Sequence, residues 1–241
     1  MNLRAPAIRL LSRSAIVLLL VLITSAICYA QPGAPASDAR SIIQSIVGER
    51  IGTYEQISNG EKADDKYFHS VTKQVGPNNF ETVFDYYRLD PQTGAPVKIG
   101  VSTMNTTICA DGSVTNTATG SGEVMIDKKT SKPEKHTLSE VLRLTPSGDM
   151  QGTGGGRISV SGLPMGAGKN GKVADYQSTW SLRDDTLRIS QQLRVKFKVL
   201  FFSKSFNITA NFTAKRGSDV IALMRSAGGR TSNYPKNPNN N

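Results

Sequence analysis

The residues that could do chemistry in this chain are few, and Glu140 stands first. It shares a strand face with Leu138, Leu142 and Leu144. A carboxylate turned into an apolar interior is costly unless paired, so there it would act as a general base or anchor a ligand. The preferred reading is a local bulge that turns Glu140 outward. His69 and His136 are the only histidines, far apart and without metal-ligand spacing. His69 shares a face with Tyr67 and Val71, and a satisfied, partly buried imidazole is expected. Cys109 ends an alternating run with no cationic neighbour, which fits a small buried residue rather than a reactive thiol. Gly166-Ala167-Gly168-Lys169-Asn170-Gly171 has the three glycines of a dinucleotide loop. That loop works between a strand and a helix, and Lys172 to Trp180 reads as strand. Gly152 to Arg157 lacks the Lys-Ser/Thr ending of a phosphate loop, and no Gly-x-Ser-x-Gly elbow occurs. No catalytic residue, metal ligand or cofactor is assigned.

Two surface features suit binding instead. Leu200-Phe201-Phe202 sits between Lys198 and Lys204, where a hairpin tip is normally polar. Leu200 and Phe202, flanked by Lys198 and Lys204, would form a rim that meets a membrane interface or an apolar partner; a bulge that buries all three apolar residues is the alternative. Arg188, Arg194, Lys196 and Lys198 make a positive stripe, suited to anionic headgroups or polysaccharide, or simply to solubility and protection of an edge. Nucleic acid is not expected, because no aromatics interleave on that face.

The elements behind these residues are strands. From Thr186 to Val199 the chain alternates, with Leu187, Ile189, Leu193, Val195, Phe197 and Val199 on one side, interrupted by Gln191. Ser205 to Lys215 and Tyr176 to Leu182 alternate in the same way, so three antiparallel strands share one dry face. Its candidate ligand lining is Tyr176, Trp180, Leu193, Val195, Phe197, Phe206, Ile208 and Phe212. The length of 186–199 predicts a bulge near Gln191-Gln192. Further strands are predicted at 51–58, 66–75, 79–89, 97–109, 112–118, 122–127, 135–145 and 157–162, separated by turn signals such as Asn59-Gly60 and Asp184-Asp185. A short helix is predicted from Asp38 to Val47, and a candidate C-terminal helix from Ser218 to Ser226. The fold class is all-β and mainly antiparallel: a barrel, half-barrel or sandwich of about nine to eleven strands.

Four segments follow. Residues 1–30 carry Arg4, Arg9 and Arg13, an apolar run from Ala15 to Ile23, and small residues at Cys28 and Ala30, which is a secretory signal pattern with cleavage after Ala30. A retained anchor is the alternative, disfavoured by the short run. Residues 31–36 are a flexible lead-in, 37–226 a single β-rich domain, and 227–241 a disordered tail. The formal charge is +10, and removing the leader's three arginines leaves 26 basic and 19 acidic residues, or +7. One remaining cysteine allows no internal disulfide, so a periplasmic or extracellular domain must be held by its core.

The order of parts resembles a lipocalin, or calycin-type barrel. Gly52-Thr53-Tyr54 looks like the family's Gly-x-Trp entry to the first strand, and Ala174-Asp175-Tyr176 like its Thr-Asp-Tyr motif. Two strands, Arg216 and a helix then follow, as in that family. Tyr stands here for Trp and Ala for Thr, and the strands from 97 to 162 outnumber those the family barrel needs. The resemblance implies that Arg216 stacks over Tyr54 by a cation–π contact. The expected function is an exported, non-enzymatic binding protein that holds a lipid-like or other amphipathic ligand, a hydrophobic or amphipathic small molecule, in a β-barrel cavity. The alternative is a structural or adhesion-type envelope domain that docks anionic surfaces through its basic strand face.

Overall fold

The computed structural model describes residues 36–126, 129–160, 170–199 and 202–231. Outside these residues lie the segment predicted as a secretory signal, most of the predicted lead-in, the three-glycine run before Asn170, Leu200 and Phe201, and the chain beyond Thr231. Helix α1 spans Ala36–Ser45. The strands are β1 (Gly48–Ser58), β2 (Glu61–Lys62), β3 (Lys66–Gly76), β4 (Asn79–Leu89), β5 (Pro96–Ile108), β6 (Val114–Ile126), β7 (Lys129–Leu144), β8 (Met150–Ser159), β9 (Asn170–Arg183), β10 (Thr186–Val199) and β11 (Phe202–Arg216). Helix α2 spans Val220–Thr231 and so continues past Ser226, where the sequence reading ends the domain.

From β3 to β11 each strand pairs antiparallel with the next, and β1 pairs with both β3 and β11. The result is a closed barrel of ten strands, with the two-residue β2 attached only to β1. Short turns allow this path: Asn59 and Gly60, like Asp184 and Asp185, hold positive φ as a two-residue hairpin requires. The sandwich and half-barrel alternatives fall, because the closing register runs unbroken from Arg50↔Arg216 to Ser58↔Ile208.

The differences from expectation have local causes. The sequence reading has separate strands at 112–118 and 122–127, yet β6 runs through both and through Gly120-Ser121-Gly122 between them. Those glycines let backbones approach: a Cβ on Gly120 would lie 2.4 Å from the Val101 carbonyl oxygen. The bulge beside β10 is not at Gln191-Gln192. The register shifts between Arg194 and Val195, and the extra residue is Ala174 on β9, so Gln191 stays on the inner face.

The inner face is filled from both ends. At one end α1 lies across the barrel, and its Ala39 and Ile43, with Ile46 just past its end, pack on Phe68, Phe80, Leu142 and Trp180. Two arginines hold the C-terminal carbonyls of this plug, where a helix end is negative. Arg50, 2% exposed, donates to the Ser45 carbonyl at 3.0 Å and to the Asp185 carboxylate at 3.0 Å. Arg216 donates to the same two oxygens at 2.8 and 3.1 Å. At the other end Ile158, Val173, Val195, Phe197 and Phe206 form a second cluster. Helix α2 packs outside the wall, with Val220 and Met224 against Tyr67.

The clamp makes an asymmetric prediction. Arg50→Met removes a buried guanidinium that also holds the Asp185 backbone carbonyl, leaves the Ser45 carbonyl and the half-exposed Asp185 carboxylate to Arg216 alone, and should lower stability by about 2 kcal/mol. Arg216→Met, on a half-exposed side chain, should cost about 1 kcal/mol. Urea unfolding of the two variants checks both values, and equal losses would contradict the clamp's geometry.

Candidate ligand-binding site

Because side chains alternate along a strand, a closed barrel brings the inner residues of all its strands around one axis. Ten strands enclose more width than the side chains fill. A cavity of about 150 Å³ remains between the plug and the second cluster. Its wall is mostly aromatic and aliphatic. Tyr54 stacks on Phe212 at 4.6 Å and 23°, Tyr86 lies 5.9 Å from Tyr54, and Phe84 stacks on Tyr86 at 6.1 Å and 8°. Burial raises the phenol pKa of both Tyr54 and Tyr86. Trp180, Met104, Leu193 and Ile208 continue the wall. The indole Nε1 of Trp180 is buried and has no hydrogen-bond partner.

The polar wall groups gather mainly at the end away from the plug. Lys66 begins β3 opposite Tyr54 and Arg88 and is 3% exposed. Its Nζ donates to the Glu123 backbone carbonyl at 3.0 Å and to Gln56 Oε1 at 3.5 Å, and stands 5.5 Å from the Tyr54 ring centre. The Glu123 carboxylate is engaged by Arg88 Nε at 3.3 Å. His136, on the inner face of β7, shares a 3.4 Å hydrogen bond with Ser102, and burial lowers its pKa. Gln191 completes this polar set from β10.

Glu140 points inward, not outward: no bulge intervenes, and the Asn116↔Glu140 and Glu140↔Gly154 pairs stay in register. Its carboxylate accepts from Asn116 Nδ2 at 2.8 Å and from the Ser178 hydroxyl, while Thr106 donates to Asn116 Oδ1 at 2.7 Å. Burial, with the Glu140 carboxylate beside it, raises the Tyr176 hydroxyl's pKa. This network is closed on itself and lies outside the cavity wall.

The eight lining candidates all face inward but divide. Trp180, Leu193, Ile208 and Phe212 line the cavity. Tyr176, Val195, Phe197 and Phe206 pack in the second cluster, with Phe197 and Phe206 edge to face at 5.8 Å. Of the rim residues, Lys198 is exposed, whereas Lys204 turns to the inner side of β11 with its Nζ 4.9 Å from the Phe206 ring centre. It has the same parity as Phe206, which is why it leaves the outer rim. Leu200 lies outside the described residues, and of Phe202 only the backbone pairing with Val199 is described. Arg216 does not stack on Tyr54. The register sets Tyr54 against Phe212 and Arg216 against Arg50, four residues nearer the plug, and Lys66 supplies the cation at Tyr54. His69 lies on the outer face, 3.3 Å from Glu49 Oε2. Cys109 is free and buried. Among the described residues no cluster of His, Cys, Asp and Glu suits a metal ion.

Lys66 and His136 were missed by sequence reasoning, although the signal existed. Lys66 is in phase with Phe68, and His136 with Leu138, so each belongs to the inner face of its strand.

No family model matches the chain, and no curated protein does. Among solved structures, the crystal structure of Rv2717c from M. tuberculosis superposes with a TM-score of 0.42 and 14% identity, covering 76% of this chain and 99% of that one. The S-type phycobiliprotein lyase CPES from Guillardia theta gives a TM-score of 0.42 and 7% identity, covering 76% of this chain and 96% of that one.

Burial lowers the Lys66 pKa from 10.5 to about 8, with Arg88 repulsion adding to it and the attraction of Glu123 and Asp64 opposing it. Between those two values the unfolded chain holds a proton that the folded lysine has lost, so stability rises with pH across this window. Burying the ammonium therefore costs about 3 kcal/mol below pH 8, relieved as pH climbs toward 10.5. Lys66→Met should stabilise the protein by about 3 kcal/mol more at pH 7 than at pH 10.5. Denaturant titrations at both values check this, and a pH-independent difference would mean the amine is hydrated.

Proposed function

We propose that this chain is an exported, non-enzymatic binding protein that holds a small amphipathic molecule inside its barrel. The observation that carries this is the cavity: about 150 Å³, walled by aromatic and aliphatic side chains, with its polar groups gathered mainly at one end. A pocket with an apolar body and a few convergent polar groups is the usual form of a small-molecule site. An apolar cavity of this volume accepts a molecule of about benzene's size. The ligand is therefore a single ring or a short chain, not a long acyl chain. Burying ~150 Å² of apolar ligand at ~25 cal/mol per Å² supplies about 4 kcal/mol before the costs of association. That alone corresponds to roughly millimolar binding, so the polar end must contribute to any tighter affinity.

Export rests on the arginine-led apolar leader, and the lipocalin likeness on the order of helix, barrel and helix. Contact of Leu200 and Phe202 with a membrane belongs to the same proposal, as the place where cargo would enter or leave. The alternative, docking of an anionic envelope surface, is favoured by the exposed Arg188, Lys196 and Lys198 on the outer face of β10; Arg194 there is engaged by Asp175.

Trp180 is the only tryptophan and lines the cavity, so its fluorescence reports occupancy. A neutral ring such as benzyl alcohol should change that emission saturably. Ala118→Leu, which adds bulk to the wall, should weaken binding about tenfold while thermal unfolding stays cooperative. No emission change with any small apolar probe would remove the cargo reading. For export, mature protein secreted by its host should begin at Gln31, as N-terminal sequencing would show; an intact Met1 would contradict cleavage.

A further inference from the structure

We propose that Lys66 anchors a carboxylate, so that the cavity's ligand is a small organic acid with a flat apolar body. The inference rests on the cavity being the ligand site. Lys66 is buried in the wall of that cavity, and both oxygens within hydrogen-bond reach of its Nζ are neutral: a backbone carbonyl and a side-chain amide. Among the described residues no carboxylate lies within ion-pair distance of it. The Glu123 carboxylate, whose charge acts on Lys66, is held by Arg88 at 3.3 and 3.4 Å. Asp65 is drawn off to Lys62 at 3.0 Å. A buried cation is ordinarily matched by a buried anion, and here the place for that anion is the cavity.

The rest of the wall agrees. The Nε1 of Trp180 is a buried donor without an acceptor, so the wall has a donor to spare. The stacked Tyr54, Phe212, Phe84 and Tyr86 suit a planar body beside the ammonium. Arg50 and Glu140, the other buried charged residues on the inner face among the described residues, have their own partners and do not line the cavity.

The groups facing Lys66 are Tyr54 on β1, Tyr86 and Arg88 on β4, Glu123 on β6, Asp64 on the approach to β3, and His136 across the cavity on β7. Burial moves the two phenols up and the imidazole down, away from the range where the Lys66 amine loses its proton, about pH 8. Loss of acid binding above that pH therefore reports on the lysine.

The test uses phenylacetate and its neutral isostere phenylacetamide, titrated into the full mature chain and followed by Trp180 fluorescence. At pH 7 the acid should bind about tenfold more tightly than the amide. Lys66→Met should remove that preference while leaving amide affinity within about threefold. In the wild type, raising the pH from 7 to 9.5 should weaken the acid about tenfold and leave the amide unchanged, so the result stands even where the variant fails to fold. Equal affinity for the two compounds, or a preference that survives in Lys66→Met, overturns the anchor but leaves the cavity a ligand site. Failure of both compounds to bind removes the anchor and the cargo reading together.

Discussion

Everything inside this protein depends on the hydrogen-bonded seam between β1 and β11. Until Arg50 to Ser58 pairs with Ile208 to Arg216, the strands form an open sheet with two exposed edges and one greasy face. Pairing removes the edges and wraps that face around an axis. The same seam fixes what meets what: Tyr54 against Phe212, Gln56 against Ala210, Arg50 against Arg216. A slip of one residue would send every one of these to solvent. The aromatic wall and the plug clamp are thus both consequences of one register, and neither exists in half a barrel.

A ten-strand barrel is too wide for side chains to close by themselves, since about eight strands already give an interior that side chains just fill. This chain closes the excess in two ways. Helix α1 inserts Ala39 and Ile43 at one end, with Ile46 just beyond it, and Phe197, Phe206 and Val195 meet across the other. Glycines limit the width between them. Gly152 and Gly154 on β8 face Leu142 and Glu140, and a Cβ on Gly154 would come within 2.0 Å of the Ser139 carbonyl oxygen. What remains empty is the middle, where Ala118, Ala210 and Gly122 leave the space that larger residues would take.

The strands were legible because burial in a barrel is one-sided, so period-two alternation survives in the sequence; the ribbons from Tyr176 to Lys215 show it without ambiguity. The lining was legible only as a face. Which inward residues border a void and which pack against one another depends on depth along the axis, and alternation carries no information about depth. That is why Trp180 and Phe212 border the cavity while Phe197 and Phe206, equal to them in pattern, fill an end. Polar inner residues were the least legible. Glu140, Gln191, Lys66 and His136 all keep the phase of their apolar neighbours, yet burial of a polar group is costly enough that, along one strand, a bulge is the cheaper reading at Glu140 and Gln191. The partners that remove that cost, such as Asn116 and Ser178 for Glu140, come from other strands and are invisible along one.

Those inner polar groups sort by whether their partners are complete. Glu140 receives donors from β6 beside it and from β9 across β8, in a network extended by Thr106, and all three partner residues are buried with it. A group so provided for can specify the packing of β6, β7 and β9, and has nothing left to offer a ligand. Lys66 is provided for differently. Its contacts are a carbonyl, an amide oxygen and an aromatic face, each of which favours the ammonium without neutralising it. Folding therefore carries a standing cost at this lysine, and a protein whose only need at the mouth of β3 was packing would be more stable with an apolar residue there. Unused stability of that kind collects where a molecule binds, since affinity comes from what the empty site leaves unsatisfied.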